Sequence, residues 1–219
     1  MSTAPDRTLP RLVPPPAAST QAGIKNALDP VLAAVILVLL SPLFLMLMAG
    51  VKLTSKGPVF FRQTRYGQGK RLFDIWKFRS MYIDRCDTRL GAAINQAVEN
   101  DPRVTPLGRF LRRTSLDELP QLINVIRGEM SLVGPRPHAV AEDEHFGELI
   151  ERYDHRFRVK PGITGLAQVS GLRGEITSLE FIKRRAAKDN EYIDRLSVAL
   201  DAWILLRTVF ALFKKDGAY

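Results

Sequence analysis

Residues 31–51 read VLAAVILVLLSPLFLMLMAGV, 21 residues without a charge. As one straight helix this run would be about 31 Å long, close to the ~30 Å hydrocarbon core of a bilayer. Two features complicate a simple span. Ser41-Pro42 stands at its middle. Proline has no N–H, so the carbonyl of Val38 loses its helical partner and the ring forces a kink. The Ser41 hydroxyl can bond back to a freed carbonyl, which makes such a break tolerable in lipid. The flanks are the second feature: Arg7, Arg11 and Lys25 precede the run, and Lys52, Lys56, Arg62 and Arg65 follow it. A spanning helix normally carries its Lys/Arg excess on one side. Positive charge on both sides suits a helix that dips in, bends and leaves by the same leaflet. The residues by themselves leave both topologies open, since kinked helices also span.

Working outward, residues 1–22 hold Pro5, Pro10, Pro14, Pro15 and Pro16 among Ala, Ser and Thr. This composition predicts a flexible, partly polyproline-like tail. It is not a secretory signal, because basic residues are sparse and the apolar run starts late and lasts long. On the other side, Val59-Phe60-Phe61 and Leu72 to Trp76 flank Tyr66-Gly67-Gln68-Gly69, which predicts a β-hairpin over 58–79. Residues 84–106 read as helix and loop, 107–127 as two helical pieces, 128–137 and 160–174 as Gly/Pro-punctuated loops, and 178–215 as helical. The stretch Leu196 to Phe213, with Trp203 and the following Lys214-Lys215, suits either core packing or the membrane interface. The expected fold is therefore mixed α/β and mostly helical, with a small hairpin and amphipathic interfacial helices. Its expected parts are a tail (1–22), a membrane helix (23–52) and a catalytic domain (53–219).

Composition narrows the function. The 219 residues carry 32 Lys+Arg against 23 Asp+Glu, a formal net charge of +9, and 46% are hydrophobic. That apolar content rules out global disorder, and the charge predicts a polyanionic partner: nucleic acid, anionic lipid or a phosphorylated substrate. A single cysteine, Cys86, excludes an intramolecular disulfide and a cysteine-cluster metal site. Three scattered histidines argue against a histidine-based zinc site.

The densest stretch is Arg109-Phe110-Leu111-Arg112-Arg113-Thr114-Ser115-Leu116-Asp117-Glu118-Leu119-Pro120-Gln121. Its bland reading is a capping box, Ser115 with Glu118, at a helix start whose dipole favours acidic residues. Its functional reading joins the carboxylate pair to nearby cations. Val133-Gly134-Pro135-Arg136-Pro137 fixes an arginine between two prolines, and Lys77 and Arg79 follow the hairpin in Trp76-Lys77-Phe78-Arg79-Ser80-Met81. Arginine forks bind phosphate oxygens and carboxylates bind Mg²⁺. A carboxylate can also attack phosphorus to form an aspartyl phosphate, and phosphoryl transfer depends mainly on positioning and charge neutralisation.

At this point the sequence resembles the bacterial monotopic phosphoglycosyl transferases, the bacterial sugar transferase family that acts on polyprenol phosphate. The resemblance covers residues ~24–219. It rests on Leu40-Ser41-Pro42-Leu43, Ser55 to Gln63, Lys77-Phe78-Arg79-Ser80-Met81, Asp101 to Arg109, Ser115 to Gln121, Gly128 to Pro137 and Lys160 to Gln168, in that order. It implies that the apolar helix is re-entrant, with Ser41-Pro42 as its bend, on the cytoplasmic face of the bacterial inner membrane. It implies transfer of a sugar-1-phosphate from a UDP-sugar to undecaprenyl phosphate with release of UMP. Mapped by motif, Asp117 is the nucleophile and Glu118 its Mg²⁺-binding partner. Arg112 and Arg136 are the phosphate clamps, and Lys77 and Arg79 complete the basic pocket. Gly171-Leu172-Arg173-Gly174-Glu175 and the closing Lys214 to Tyr219 resemble the hexose-1-phosphate branch that starts exopolysaccharide repeats, glucose before galactose. Longer members of that branch carry transmembrane helices where this sequence has its tail. A homodimer is an open possibility.

The remaining candidates read more plainly. His138, after the second loop, is expected at the surface, and His145 and His155 in solvated surroundings. Cys86 is an incidental thiol. Lys183-Arg184-Arg185 suits anionic headgroups or a solvated helix face, and Trp76 and Trp203 suit core or interface. A catalytically silent scaffold of polysaccharide assembly is the alternative function. Nucleic-acid binding is the weakest, because no recognition motif accompanies the charge.

Overall fold

A computed structural model describes residues 20–83, 101–174 and 176–213. Most of the tail, Cys86 and Lys214-Lys215 lie outside the described residues, as does most of the helix expected within 84–106. The described chain is mostly helical with one small antiparallel hairpin, as the sequence predicts.

The apolar run forms two helices, α1 (Thr20–Leu39) and α2 (Ser41–Thr54), divided at Leu40. Pro42 falls in the first turn of α2, where a missing N–H costs nothing. The i→i−4 ladder resumes on either side, with Leu40 N donating to Ile36 O (2.9 Å) and Phe44 N to Leu40 O (2.8 Å). Helix α1 also contains Pro30. It is the one helix among the described residues long and apolar enough to cross a membrane. The pair is apolar on both faces. Ala33, Leu47 and Val51 are buried against the rest of the protein, while Val31, Val35, Val38, Leu39, Leu45 and Met46 are exposed.

Strands β1 (Phe60–Tyr66) and β2 (Leu72–Phe78) pair in the register Phe60↔Phe78, Arg62↔Trp76 and Tyr66↔Leu72. A tight turn joins them, with Gly69 and Lys70 both at positive φ. Trp76 is half-buried: it packs on Phe60 and lies under the Arg62 guanidinium at 3.8 Å. Helix α3 (Pro106–Thr114) starts on Thr105, whose hydroxyl accepts from Gly108 N at 2.8 Å. Leu47 and Val51 of α2, Phe78 of β2 and Leu111 of α3 form one buried cluster, so the apolar helix pair is packed against the hairpin's last strand.

A 3₁₀ turn, Leu116–Glu118, and α4 (Gln121–Ile126) follow. The two Gly/Pro segments expected as loops contain short strands. β3 (Ser131–Val133) and β4 (Gly162–Thr164) pair in parallel. Such pairs are hard to see in sequence at three residues each. They approach closely because both lack side chains at the crossing: a Cβ on Gly162 would lie 2.0 Å from Gly134 N. Between them stand α5 (Val140–Leu149) and a 3₁₀ segment, Tyr153–Arg158. After β4 come α6 (Leu166–Val169), α7 (Leu179–Asp194) and α8 (Val198–Phe213). Helix α8 buries Ile204 but exposes Trp203, Leu206, Val209 and Phe210, so it is apolar on both its core side and its outer side. Arg185 of α7 is buried, which corrects the reading of Lys183-Arg184-Arg185 as a uniformly exposed basic run.

The foot of α1 is fastened by charge. Lys25 Nζ pairs with Asp201 (2.6 Å) and Asp29 (3.3 Å), Ser131 donates to Asp29 (2.5 Å), and Tyr192 donates to Asp201 (2.7 Å). This buried set links α1 to α8, β3 and α7, and losing one partner of such a pair typically costs about 3–5 kcal/mol.

Gly162→Ala forces a backbone clash at the β3–β4 crossing. We expect it to lower stability by about 1–3 kcal/mol, read as a drop in the thermal unfolding midpoint of purified protein. Gly171→Ala, where nothing meets the added Cβ, serves as the comparison for purely conformational strain.

Candidate active site

The 3₁₀ turn presents Asp117 and Glu118 between three chain segments. Lys77 of β2 donates to Glu118 Oε1 at 2.9 Å. Arg136, held between Pro135 and Pro137, reaches both carboxylate oxygens of Glu118, through Nη1 at 3.0 Å and through Nη2. This two-toothed geometry is the strong form of an Arg–carboxylate pair. Asp117 is buried and, among the described residues, its carboxylate accepts no hydrogen bond.

The two neighbours therefore titrate in opposite directions. Burial pushes Asp117 up to about 6; Glu118's charge adds to this, while Lys77, Arg112 and Arg136 oppose it. Burial also works to raise Glu118, but Arg136 and Lys77 outweigh it and hold that carboxyl well below the usual range. Adjacent carboxylates split in this way mark different chemical tasks. Glu118 is an anion paired to two cations, and Asp117 is the carboxylate that accepts no hydrogen bond among the described residues.

Arg112, in the last turn of α3, is half-buried and close enough to pull on Asp117. Its Nη1 is buried with no hydrogen-bond partner. Arg79 does not join this group. Its guanidinium is buried and bonds Ser55 O and Oγ (both 2.7 Å), Val51 O (3.3 Å) and the Pro58 carbonyl. It is a staple between the end of α2 and β2, because alternation along the strand sends Lys77 and Phe78 to opposite faces and Arg79 falls beyond the strand's end. The Ser115–Glu118 capping box is likewise absent. Ser115 closes α3 in the left-handed conformation (φ 58), and its side chain caps no helix. The Glu118 carboxylate that would complete the box is held by Lys77 and Arg136 instead.

Several supports were invisible in the sequence. Asn124 of α4 bonds the outer edge of β2, accepting from Trp76 N (3.0 Å) and donating to Asp74 O (2.8 Å), which sets the strand that carries Lys77. Arg156 donates to the carbonyl of Arg136, to Asp143 (2.9 Å) and to the Tyr153 hydroxyl (2.6 Å). His138 is part of this buried cluster rather than at the surface, and burial together with Arg156 lowers its pKa to about 3, so it is neutral. His155 is half-buried beside Arg158 (2.6 Å) rather than fully solvated. No local motif marks these residues, because their partners lie on different elements.

Among the described residues no group of three or more His, Cys, Asp and Glu side chains could hold a metal ion alone. Of the two carboxylates, Glu118 is engaged by Lys77 and Arg136 and Asp117 accepts no hydrogen bond among the described residues, so a divalent cation here would take most of its ligands from phosphate and water.

The sequence profile of the bacterial sugar transferase family matches residues 20–215. The chain belongs to the bacterial sugar transferase family. It is 53% identical over 196 residues to a UDP-glucose:undecaprenyl-phosphate glucose-1-phosphate transferase of Escherichia coli (strain K12), covering 90% of this chain and 41% of that protein. A transferase of the same name from Caulobacter vibrioides is 49% identical over 195 residues, 89% of this chain and 72% of the relative. An exopolysaccharide production protein of Rhizobium leguminosarum bv. phaseoli is 42% identical over 189 residues, 85% and 93% respectively. Against the Escherichia coli family member the chain thus spans less than half of the relative's length.

The split dyad gives a two-part expectation for Asp117→Asn. The wild-type carboxyl titrates near 6 when folded against about 3.9 when unfolded. Its burial therefore costs stability as pH rises through that window, and the neutral amide removes the cost. Asp117→Asn is expected to be more stable at pH 7, by on the order of 1–3 kcal/mol, with the difference vanishing below pH ~4. Denaturant unfolding at the two pH values checks this.

Proposed function

We propose that this chain is a phosphoglycosyl transferase that moves a hexose-1-phosphate, glucose-1-phosphate first, from a UDP-sugar to undecaprenyl phosphate. UMP is released, and the product is the lipid diphosphate sugar that begins an exopolysaccharide repeat. The observation that carries the reading is the free, buried Asp117 carboxylate beside a Glu118 already neutralised by Lys77 and Arg136. The names of the relatives supply the substrates.

In the proposed mechanism an Asp117 oxygen attacks the donor's β-phosphorus. An Asp–O–P bond forms, the bridging P–O bond to the α-phosphate breaks, and its electron pair leaves with UMP. The polyprenol phosphate oxygen then attacks the same phosphorus and the Asp–O–P bond breaks, restoring the carboxylate. Arg112 and Arg136 hold phosphate oxygens, and Lys77 keeps Glu118 and the phosphates in one field. Arg79 has no part in this. Asp117 and Glu118 would hold Mg²⁺, which when bound neutralises diphosphate charge. Two steps through one carboxylate suit a soluble donor and a lipid acceptor that arrive separately.

A cytoplasmic-leaflet, re-entrant arrangement of α1 and α2 belongs to the same proposal. Both ends of the pair are fastened to one domain: Lys25 and Asp29 to Asp201 and Ser131, and the end of α2 to Arg79. A helix pair tied at entry and exit to the same body supports entry and exit on one side, with Ser41-Pro42 near the deepest point. The exposed apolar faces of α1, α2 and α8 would meet lipid.

UMP release from UDP-glucose, UDP-galactose and UDP-N-acetyl sugars, with undecaprenyl phosphate and Mg²⁺, tests the reaction. We expect UDP-glucose to be used best, Asp117→Asn to release none, and kcat/KM to fall as pH drops below about 6, where Asp117 takes up a proton. Full activity of Asp117→Asn would remove the nucleophile assignment. For topology, a cysteine placed within residues 1–22 of a Cys86→Ser protein should resist an impermeant thiol reagent in intact cells. Labelling there would mean that the apolar pair spans.

A further inference from the structure

Arg173 lies on the loop between α6 and α7, far in sequence from the dyad. Its Nη2 donates to Ser115 Oγ, two residues before Asp117. Among the described residues this is its one hydrogen bond, and it forms no ion pair. The guanidinium is half-buried and faces the same charges as the dyad's other cations. Burial lowers its pKa, Glu118 and Asp117 favour the cation, and Arg136 opposes it.

Glu118 is already engaged by Lys77 and Arg136, and no hydrogen bond or ion pair joins it to Arg173. A guanidinium has five N–H donors, and here one neutral hydroxyl takes a single donor. A partly desolvated cation with no direct ion pair among the described residues is suited to take an anionic ligand.

The loop is also built to hold this residue still. Arg185, buried in α7, donates to the carbonyls on either side of Arg173: Nε to Leu172 O and Nη2 to Gly174 O, both at 3.0 Å. Leu172 N is tied to Ala167 O at 3.0 Å. Two clamped carbonyls flanking an arginine that has no ion pair among the described residues describe a pre-set donor, which is what phosphate positioning requires.

We propose that Arg173 is a substrate-binding residue of the active site, which takes a phosphate oxygen next to Asp117. The inference rests on the phosphoryl-transfer reading above and adds a residue to it. The phosphate belongs either to the sugar nucleotide or to the polyprenol acceptor, and the chemistry is the same for both.

Full-length protein in nanodiscs carrying Arg173→Ala, Arg173→Lys or Ser115→Gly tests it, with kcat and KM measured for UDP-glucose and undecaprenyl phosphate in turn. Glycine at 115 keeps the left-handed backbone and removes the hydroxymethyl side chain. We expect Arg173→Ala to lower kcat/KM about tenfold or more, Arg173→Lys to recover part of the loss, and Ser115→Gly to stay within about threefold of wild type. A KM rise confined to UDP-glucose assigns the donor's phosphate, and one confined to undecaprenyl phosphate assigns the acceptor's. Unchanged kcat/KM in Arg173→Ala overturns the proposal. So does Ser115→Gly reproducing the whole loss at an unaltered unfolding temperature, since Arg173 would then act only through Ser115. Wild-type protein that releases no UMP from any UDP-sugar would instead defeat the parent reading.

Discussion

The Glu118 carboxylate joins three segments that the chain keeps well apart: the turn after α3, strand β2 through Lys77, and the Gly134–Pro137 loop through Arg136. A buried carboxylate must be paired or it will take up a proton. Pairing it twice, once in a fork, fixes the relative positions of all three segments. It also leaves its neighbour, Asp117, as the unneutralised carboxylate of the site. Much of the surrounding structure secures the two cations. Asn124 sets the edge of β2, Arg156 holds the backbone of Arg136, and the close Gly134–Gly162 crossing brings that loop alongside β4.

The same economy of placement links the apolar helix pair to the site. Arg79 fastens the end of α2 to the strand that bears Lys77, and the cluster of Leu47, Val51, Phe78 and Leu111 packs that helix beneath α3. Leu116, adjoining Asp117, packs against the cluster as well. The helix pair and the dyad are therefore one rigid neighbourhood. The ionic foot of α1 at Lys25, Asp29 and Asp201 completes the arrangement from the other end and touches β3, the strand leading into the Arg136 loop.

Arginine serves three different ends in this protein, and the chemistry of its surroundings separates them. Arg79 and Arg185 are saturated or nearly so by backbone carbonyls and act as staples. Arg136 is paired to a carboxylate. Arg112 and Arg173 keep donors without protein partners near Asp117, Arg112 with a buried Nη1. A count of positive charge treats these alike, whereas their partners differ: backbone carbonyls, a carboxylate, or a single hydroxyl or none.

Much was legible in the residues themselves. The uncharged run, the hairpin, the two helical pieces around the dyad, the adjacency of Asp117 and Glu118 and the proline-flanked Arg136 are all local signals. Apolar periodicity, glycine in turns and proline beside arginine act over a few residues. What tertiary structure alone decided is which charge meets which. It removed Arg79 from the site, moved His138 into the interior, replaced the capping box with a cation clamp, separated the two carboxylates in pKa and brought Arg173 to Ser115. These outcomes depend on desolvation and on contacts between segments distant in the chain. A side chain's type is written in the sequence, but its dielectric surroundings and its competitors for a partner exist only once the chain is folded.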